Sequence, residues 1–366
     1  MRIAFDVSPL SHERTGVNNY ILGSLRGLAA VARERGHEVV AFAPTSPDGR
    51  RVIAETLAGL PVELRLKTMI GAHGWRTAWS ILGRPAAERW LGPFDVLHFT
   101  DWMYPPQRQG VRATMVHDLV PLHHPEWVTG RTRSMHVRKY RNAAGTCDVI
   151  FANSSYTADD VAATLGFPRE RILVAHPGVA DEYTAEGDAA DLGGPYILTV
   201  ATLEPRKNLQ TLVDAFSLLR GMAGAHQHHT FPTLVIAGGQ GWGEQPELDK
   251  PGIVRLGRVS DDELARLYRG AAAVVYPSRF EGFGMPITEA MASGAPVVAS
   301  AHPSLDEASG DAAVRADPES AEAIAAAIVE ALERRDELRA KGLAHAARFS
   351  WRRVGEIFLE GYERFA

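Results

Sequence analysis

The chain holds two successive series of short apolar runs that alternate with longer segments of helical period, and this repetition limits its fold more than any other feature. In the first series, "RIAFDV", "HEVVAFAP", "PVELRL", "DVLHFT", "ATMVHDL", "DVIFAN" and "RILVAHPGV" read as strands rich in β-branched and aromatic residues. Between the first two, "NNYILGSLRGLAAVARER" repeats apolar residues at helical spacing until Gly36 stops it. Such alternation is the pattern of parallel βα units and predicts a doubly wound sheet. The segment "ADEYTAEGDAADLGGP" then breaks the pattern, acidic and small with no apolar period, and predicts an interdomain linker over 181–195. The alternation restarts with "PYILTVAT", "KNLQTLVDAFSLLR", "PTLVIAGG", "IVRLG", "DDELARLYRGA", "AAVVYPS" and "APVVAS", and two amphipathic helices close the chain.

The reading is therefore α/β, with two doubly wound, Rossmann-like domains at 1–180 and 196–345. A length of 366 residues agrees with two domains at roughly 150 residues each. The net charge of -5, with 23% charged residues, gives no global basic field, so nucleic acid is not an expected partner. One cysteine, Cys147, excludes an internal disulfide and fits a reducing cytoplasm. Its place at the entry to an apolar strand predicts an inert, semi-buried thiol. No basic region leads into an apolar run at "MRIAFDVSPL", and no stretch of about 18 apolar residues occurs, so the expectation is a soluble or peripheral protein of the cytoplasm. Ligands of open α/β sheets bind beyond the carboxyl ends of the strands, which puts the chemistry on loops that follow strands, with a cleft where two such sheets face one another.

Three loops carry chemistry. In "AAVVYPSRFEGFGMPITEAMASG" the strand ends near Tyr276, the loop holds Glu281, Gly282, Phe283 and Gly284, Pro286 suits the first helical turn and Gly294 stops the helix. The two glycines let backbone N–H groups approach a ligand, and the helix start favours a phosphate. Glu281 can accept hydroxyl hydrogen bonds from a sugar, and Glu289, one turn into the helix, can take the two hydroxyls of a ribose. Taken alone, the two glutamates are equally well a loop carboxylate and a solvated helix residue. In "TVATLEPRKNLQTLVDAF", Arg206 and Lys207 follow a strand at the mouth of a helix, a site for a diphosphate. "AGGQGW" opens a third loop with Gly238 and Gly239.

The ordered set "PRKN", "GG" after a strand, "LGRVSDDEL" and "PSRFEGFGMPITEAMASGAPVVAS", with "TGVNNY", "VHDLVPLHHPEW", "ANSSYTADDVAATLG" and "RILVAHPGV" in the first half, resembles the group 1 glycosyltransferases, glycosyltransferase family 4, of the GT-B fold. Within them it looks most like the enzymes of bacterial surface-polysaccharide synthesis, many of them mannosyltransferases. The resemblance implies two Rossmann-like domains facing across a cleft, an acceptor-binding first domain, a second that binds the nucleotide sugar, and a terminal helix, 346–366, crossing back to the first. It further implies that Arg206 and Lys207 neutralise the donor diphosphate, and that Glu281 with the backbone of Gly282, Phe283 and Gly284 holds the donor sugar in the E-x7-E element. Glu289 binds the ribose, His117 reaches the sugar near the reacting carbon, Gly16 belongs to the loop over the phosphates and acceptor, and Arg258 and Val259 line the base. Where many relatives have glycine and a basic residue after "TGV", this chain has Asn18 and Asn19.

The chemistry then expected is rupture of the bond between an anomeric carbon and a diphosphate, with fixed cations at the developing negative charge and no metal or other cofactor. The resemblance implies retention of configuration by front-face attack, a saccharide or lipid-linked saccharide acceptor, and GDP-mannose as the preferred donor. A nucleotide-sugar epimerase of the same architecture and a two-lobed sugar-binding protein are the alternatives. A glycosidase fits less well, since its two carboxylates must flank one bond. His226, His228 and His229 lack partners at metal-ligand spacing and predict a solvated loop, while His123 and His124 follow His117 closely and are placed on the acceptor side. Trp75, Trp79, Ile81, Leu82 and Trp90 among Arg76, Arg84 and Arg89 suit either an anionic membrane interface, the inner face of the membrane here, or an aromatic face packed inward. Arg131, Arg133, Arg138, Lys139 and Arg141 form a second basic segment.

Overall fold

Runs such as "IAF" and "VIFA" have no polar face because both their faces are covered. In the computed structural model of the protein, seven parallel strands form the first sheet: β1 (Arg2–Asp6), β2 (Glu38–Thr45), β3 (Glu63–Thr68), β4 (Val96–Phe99), β5 (Val111–Val116), β6 (Val149–Ala152) and β7 (Ile172–Val174). Their order is β3-β2-β1-β4-β5-β6-β7. A second parallel sheet takes β8 (Tyr196–Val200), β9 (Thr233–Ala237), β10 (Ile253–Gly257), β11 (Ala273–Tyr276), β12 (Val297–Ser300) and β13 (Ala313–Ala316) in the order β10-β9-β8-β11-β12-β13. Both sheets therefore reverse direction once, between β1 and β4 and between β8 and β11, and a crevice opens at the carboxyl ends of such a pair. The structure describes residues 1–12, 15–68, 74–75, 78–100, 103–223 and 231–366, the side chains of 80, 81 and 223 aside. Arg76, His226, His228, His229 and the side chain of Ile81 lie outside the described residues.

The chain forms two compact units, Met1–Gly178 with Ser350–Ala366, and Val179–Phe349. The segment 181–195 is thus part of the second unit rather than a free connection. Tyr183 lies edge-on to Tyr268 in its core with ring centroids 5.8 Å apart, the Ala190 N–H donates to Arg266 O, and Arg269 donates to Asp188 O at 2.8 Å. The helical stretch after β13 is two helices, Ala321–Glu333 and Arg335–Ala346, broken at Arg334.

The terminal helix Trp351–Phe365 belongs to the first unit and lies along the helix Gly16–Glu34. Glycine makes the approach possible. A Cβ at Gly27 would run into the Trp351 carbonyl, and one at Gly355 would run into the backbone of Gly27. Phe358 and Tyr362 then reach the sheet, where Phe358 packs on Phe151 with centroids 4.4 Å apart and the Tyr362 hydroxyl meets Nδ1 of the buried His98 at 2.6 Å. Burial holds His98 neutral, its pKa pushed down to about 3.

The tryptophans of the aromatic segment turn inward, while Leu82 is exposed. Trp79 is buried with Nε1 donating to Pro85 O at 3.0 Å, Trp75 and Trp90 stack beside it, and the Lys67 ammonium lies 5.5 Å from the Trp75 ring centre. On the helix Gly130–Thr146, Arg131, Arg133, Arg138 and Arg141 are exposed, but Lys139 is not part of that surface. It is buried and donates to Met115 O at 3.0 Å. Cys147 is buried and its thiol is pushed up to about 12, so it is inert.

Packing, not surface charge, should hold the terminal helix. Gly355→Leu is expected to destabilise the first unit by about 3 kcal/mol or more in urea titration. Arg352→Ala, which removes an exposed ion pair to Glu34, should leave the same transition almost unmoved.

Candidate functional site

The second sheet's reversal puts the carboxyl ends of β8 and β11 side by side, Val274 pairing with Leu198, and the two loops that leave them are tied together. After β8 the chain makes a tight turn over Pro205–Lys207 and leaves it through Asn208, held at φ 57°, a left-handed conformation that asparagine tolerates. The Asn208 amide donates to Pro277 O at 3.1 Å and to Pro318 O at 2.7 Å, and the Arg279 N–H donates to Arg206 O at 2.9 Å. The bonds to Pro277 O and Arg206 O join the two loops, and the one to Pro318 O ties Asn208 to the segment after β13.

This brings Arg206, Lys207 and Glu281 together. Arg206 Nη1 lies 2.5 Å from Glu281 Oε2 and Lys207 Nζ lies 2.6 Å from Oε1, so each carboxylate oxygen faces one cation. The hydroxyl of Tyr276, last residue of β11, accepts from Lys207 Nζ at 2.9 Å and donates to Glu281 Oε1 at 2.9 Å. Glu204 Oε1 stands 3.4 Å from Arg206 Nη2, which makes two cations and two carboxylates. The Glu281 N–H donates to Ser304 Oγ at 3.1 Å, and that oxygen meets His302 Nδ1 at 2.8 Å. Burial alone would raise the Glu281 carboxyl, but the Arg206 guanidinium and the Lys207 ammonium override it and hold the pKa at about 2. Burial, then repulsion from Arg206, lowers that of Lys207, and Glu281 works against both.

Beyond Glu281, Phe283 anchors the loop edge-on to Phe349, ring centroids 5.3 Å apart, which leaves backbone at Gly282 and Gly284. Gly284 has φ 98° and a Cβ there would meet Leu305 at 2.7 Å, so no other residue fits. The helix Met285–Ala292 starts there, with Pro286 in its first turn, and carries Glu289. Glu289 is buried rather than solvated, and Tyr268 donates to its Oε2 at 3.3 Å. Arg258 and Val259 follow β10. A Cβ at Gly239, in the loop after β9, would lie 3.7 Å from the Arg258 guanidinium, and Val259 packs on the core.

Gly16 and His117 are in the first unit. Gly16 opens the helix Gly16–Glu34, and Tyr20, one turn on, lies edge-on to His117 with centroids 5.0 Å apart. His117 follows β5, and His123 nearby pairs with Asp160 at 2.8 Å. Asn18 turns inward, its amide donating to Pro9 O at 2.7 Å and its carbonyl accepting from Thr15 at 2.6 Å.

The model of the glycosyltransferase family 4 domain matches residues 14–183, and that of "glycosyl transferases group 1" matches 194–334. The chain belongs to the group 1 glycosyltransferases. O-antigen chain mannosyltransferase B of Escherichia coli is 29% identical over 398 residues, 99% of this chain and 100% of its own length. Serotype-specific mannosyltransferase WbdA of Escherichia coli is 31% identical over 276 residues, 68% of this chain, which spans only 33% of WbdA. Anabaena Alr3699/HepE, solved with UDP and glucose, superposes with a TM-score of 0.67 at 18% identity over 98% of each chain, a likeness of fold alone, and the fold is GT-B. Membership makes the chain a glycosyltransferase and implies a nucleotide-sugar donor and a saccharide acceptor.

Three residues of the cluster around Glu281 escaped the sequence reading: Tyr276, Glu204 and Ser304. Only the first left a signal, since a tyrosine ending a buried strand needs a partner for its hydroxyl. Among the described residues no group of three or more His, Cys, Asp or Glu side chains is arranged to hold a metal ion, and no helix is long and apolar enough to cross a membrane.

Glu281 links stability to pH. Its folded pKa lies below the ordinary 4.5, so the unfolded chain takes up that proton first as pH falls, and the stabilisation is complete above about 4.5 and lost toward about 2. Glu281→Gln, which leaves two buried cations short of a counter-charge, should cost about 3–5 kcal/mol at pH 7. In urea titrations the gap from wild type should narrow steadily as the pH falls below 4.5. A gap independent of pH would contradict the ion-pair origin.

Proposed function

We propose that the protein is a retaining hexosyltransferase that moves mannose from GDP-mannose to a saccharide or lipid-linked saccharide in surface polysaccharide synthesis, without a metal. The observation that carries the reading is the pair of fixed cations, Arg206 and Lys207, at the switch point of the second sheet. As the anomeric C–O bond breaks, charge develops on the diphosphate oxygen, and cations held by tied loops stabilise it without reorganisation. The backbone of Gly282, Phe283 and Gly284 at the helix start adds N–H groups on the same side. Glu289, oriented by Tyr268, takes the ribose hydroxyls, and Arg258 and Val259 take the base. In the first unit His117 positions the sugar and Gly16 belongs to the phosphate and acceptor loop.

Retention by front-face attack is supported by the state of Glu281. Both of its oxygens are engaged by cations and one also by Tyr276, which suits a positioning carboxylate and not a covalent nucleophile. In that step the acceptor oxygen bonds to the anomeric carbon on the face from which the diphosphate departs, and the departing phosphate oxygen takes the acceptor's proton. Mannose is supported by the names of two relatives, O-antigen chain mannosyltransferase B and WbdA, while others are D-inositol 3-phosphate glycosyltransferases, and GDP by the likeness to the first two alone. Peripheral contact with an anionic inner membrane face rests on Arg133, Arg138 and Arg141, exposed on a helix, Gly130–Thr146, that carries no acidic residue.

Unfolding temperature measured against GDP, UDP, dTDP and their hexose conjugates should rise with GDP and GDP-mannose alone, since ligand at 100 times its Kd adds about 2.7 kcal/mol. The product should keep the donor's anomeric configuration, and chelator should leave the rate unchanged. Arg206→Ala and Lys207→Ala should each lower kcat about 100- to 1,000-fold. An inverted product or loss of activity in chelator would overturn the mechanism. Binding to phosphatidylglycerol vesicles at low salt should be lost in the triple variant R133S/R138S/R141S, and no binding by wild type would remove membrane contact from the proposal.

A further inference from the structure

Transfer needs the two cations; it does not by itself need a carboxylate seated between them. Yet Glu281 touches both, Glu204 balances the remaining charge, and Tyr276 donates to Glu281 from the end of β11. A diphosphate arriving at this cluster therefore meets a neutral group of side chains. To gain either cation it must draw that cation away from Glu281, and a buried carboxylate that loses its cation needs new hydrogen-bond donors. A donor sugar brings hydroxyls, which are such donors. A nucleoside diphosphate without its sugar brings none to Glu281, since under the same reading its ribose hydroxyls go to Glu289, and it adds negative charge beside Glu281.

We propose that Glu281 discriminates donor from product: it yields Arg206 and Lys207 to the diphosphate when sugar hydroxyls are present to receive it, and reclaims both once the sugar has been transferred, which expels the nucleoside diphosphate. The inference rests on the reading that Arg206 and Lys207 hold the diphosphate. Tyr276 is the positioning residue of the exchange, since its hydroxyl supports Glu281 in the seated state and gives Lys207 an acceptor there.

Titration calorimetry of GDP, UDP and dTDP and of their hexose conjugates tests this on the full chain. With the nucleotide that binds wild type, Glu281→Gln should bind the diphosphate at least tenfold more tightly and the nucleotide sugar no more tightly, so the preference for donor over product shrinks by at least that factor. The inhibition constant of the product diphosphate should fall by the same factor. Tyr276→Phe keeps every charge and removes one hydrogen bond each from Glu281 and Lys207 in the seated state, and it should tighten diphosphate binding about threefold. If E281Q weakens both ligands in parallel, or leaves diphosphate affinity unchanged, Glu281 is not a counter-ion to the product and the inference fails. If E281Q does not fold, Y276F decides alone, and unchanged or weaker diphosphate binding overturns the proposal. Wild type that binds none of these nucleotides would instead overturn the functional reading, and this inference with it.

Discussion

A carboxylate taken out of water must be paired, and the pairing of Glu281 with Arg206 and Lys207 is the interaction on which the second unit's loops depend. The three side chains come from segments 74 and 75 residues apart, so their meeting needs the loops after β8 and β11 to be held in register. Asn208 does this from one side through its amide to Pro277 O. Arg279 does it from the other, through its N–H to Arg206 O, a guanidinium hydrogen bond to Pro205 O at 3.2 Å and a two-point ion pair to Glu319. Strand order supplies the rest. Only at β8 and β11 do the helical connections depart in opposite directions, and only there is room left above the strand ends for charged side chains to converge.

The architecture was largely legible because its signal is periodic and long. Parallel strands covered on both faces have to be apolar throughout, and the helices between them have to show an apolar stripe. Exceptions fall where a short element carries a charge or a signal is missing. Strand β13 is four residues long and contains Arg315, whose guanidinium folds back to Ser300 O and His302 O, so Val314 and two alanines are too short an apolar signal to mark it. The break at Arg334 has neither glycine nor proline. The stretch 181–195 has a linker's composition, yet Tyr183 and the backbone at Ala190 are enough to fasten it to the second unit.

The candidate site was legible as a set of positions but not as a set of contacts. A sequence shows that Arg206 and Lys207 follow one strand and that Glu281 follows another; it does not show that they touch. Read from spacing, the cations looked available to a ligand and Glu289 was either a ribose ligand or a solvated helix residue, whereas in the fold the first are paired and the second is buried under Tyr268. Tyr276 was hidden for a related reason. At a strand's last position a tyrosine reads as core, and only the folded chain shows its hydroxyl between a lysine and a glutamate. Lys139 fails in the opposite sense, since its place in a run of arginines suggested surface and its ammonium is used inside on Met115 O.

Asn18 bears on the charge that the proposed reaction has to place elsewhere. Many relatives present glycine and a basic residue at the positions of Asn18 and Asn19, after the glycine that here opens the first helix. Asn18 brings no charge, and its carboxamide is taken up between Thr15 and Pro9 O, where it closes the loop on itself. Under the proposed reaction, positive charge lost there shifts the neutralisation of the leaving diphosphate toward Arg206 and Lys207. The more the reaction depends on those two cations, the more their availability matters, and Glu281 controls that availability. Under the proposed exchange, Glu281 thereby sets how much of that charge a diphosphate can use.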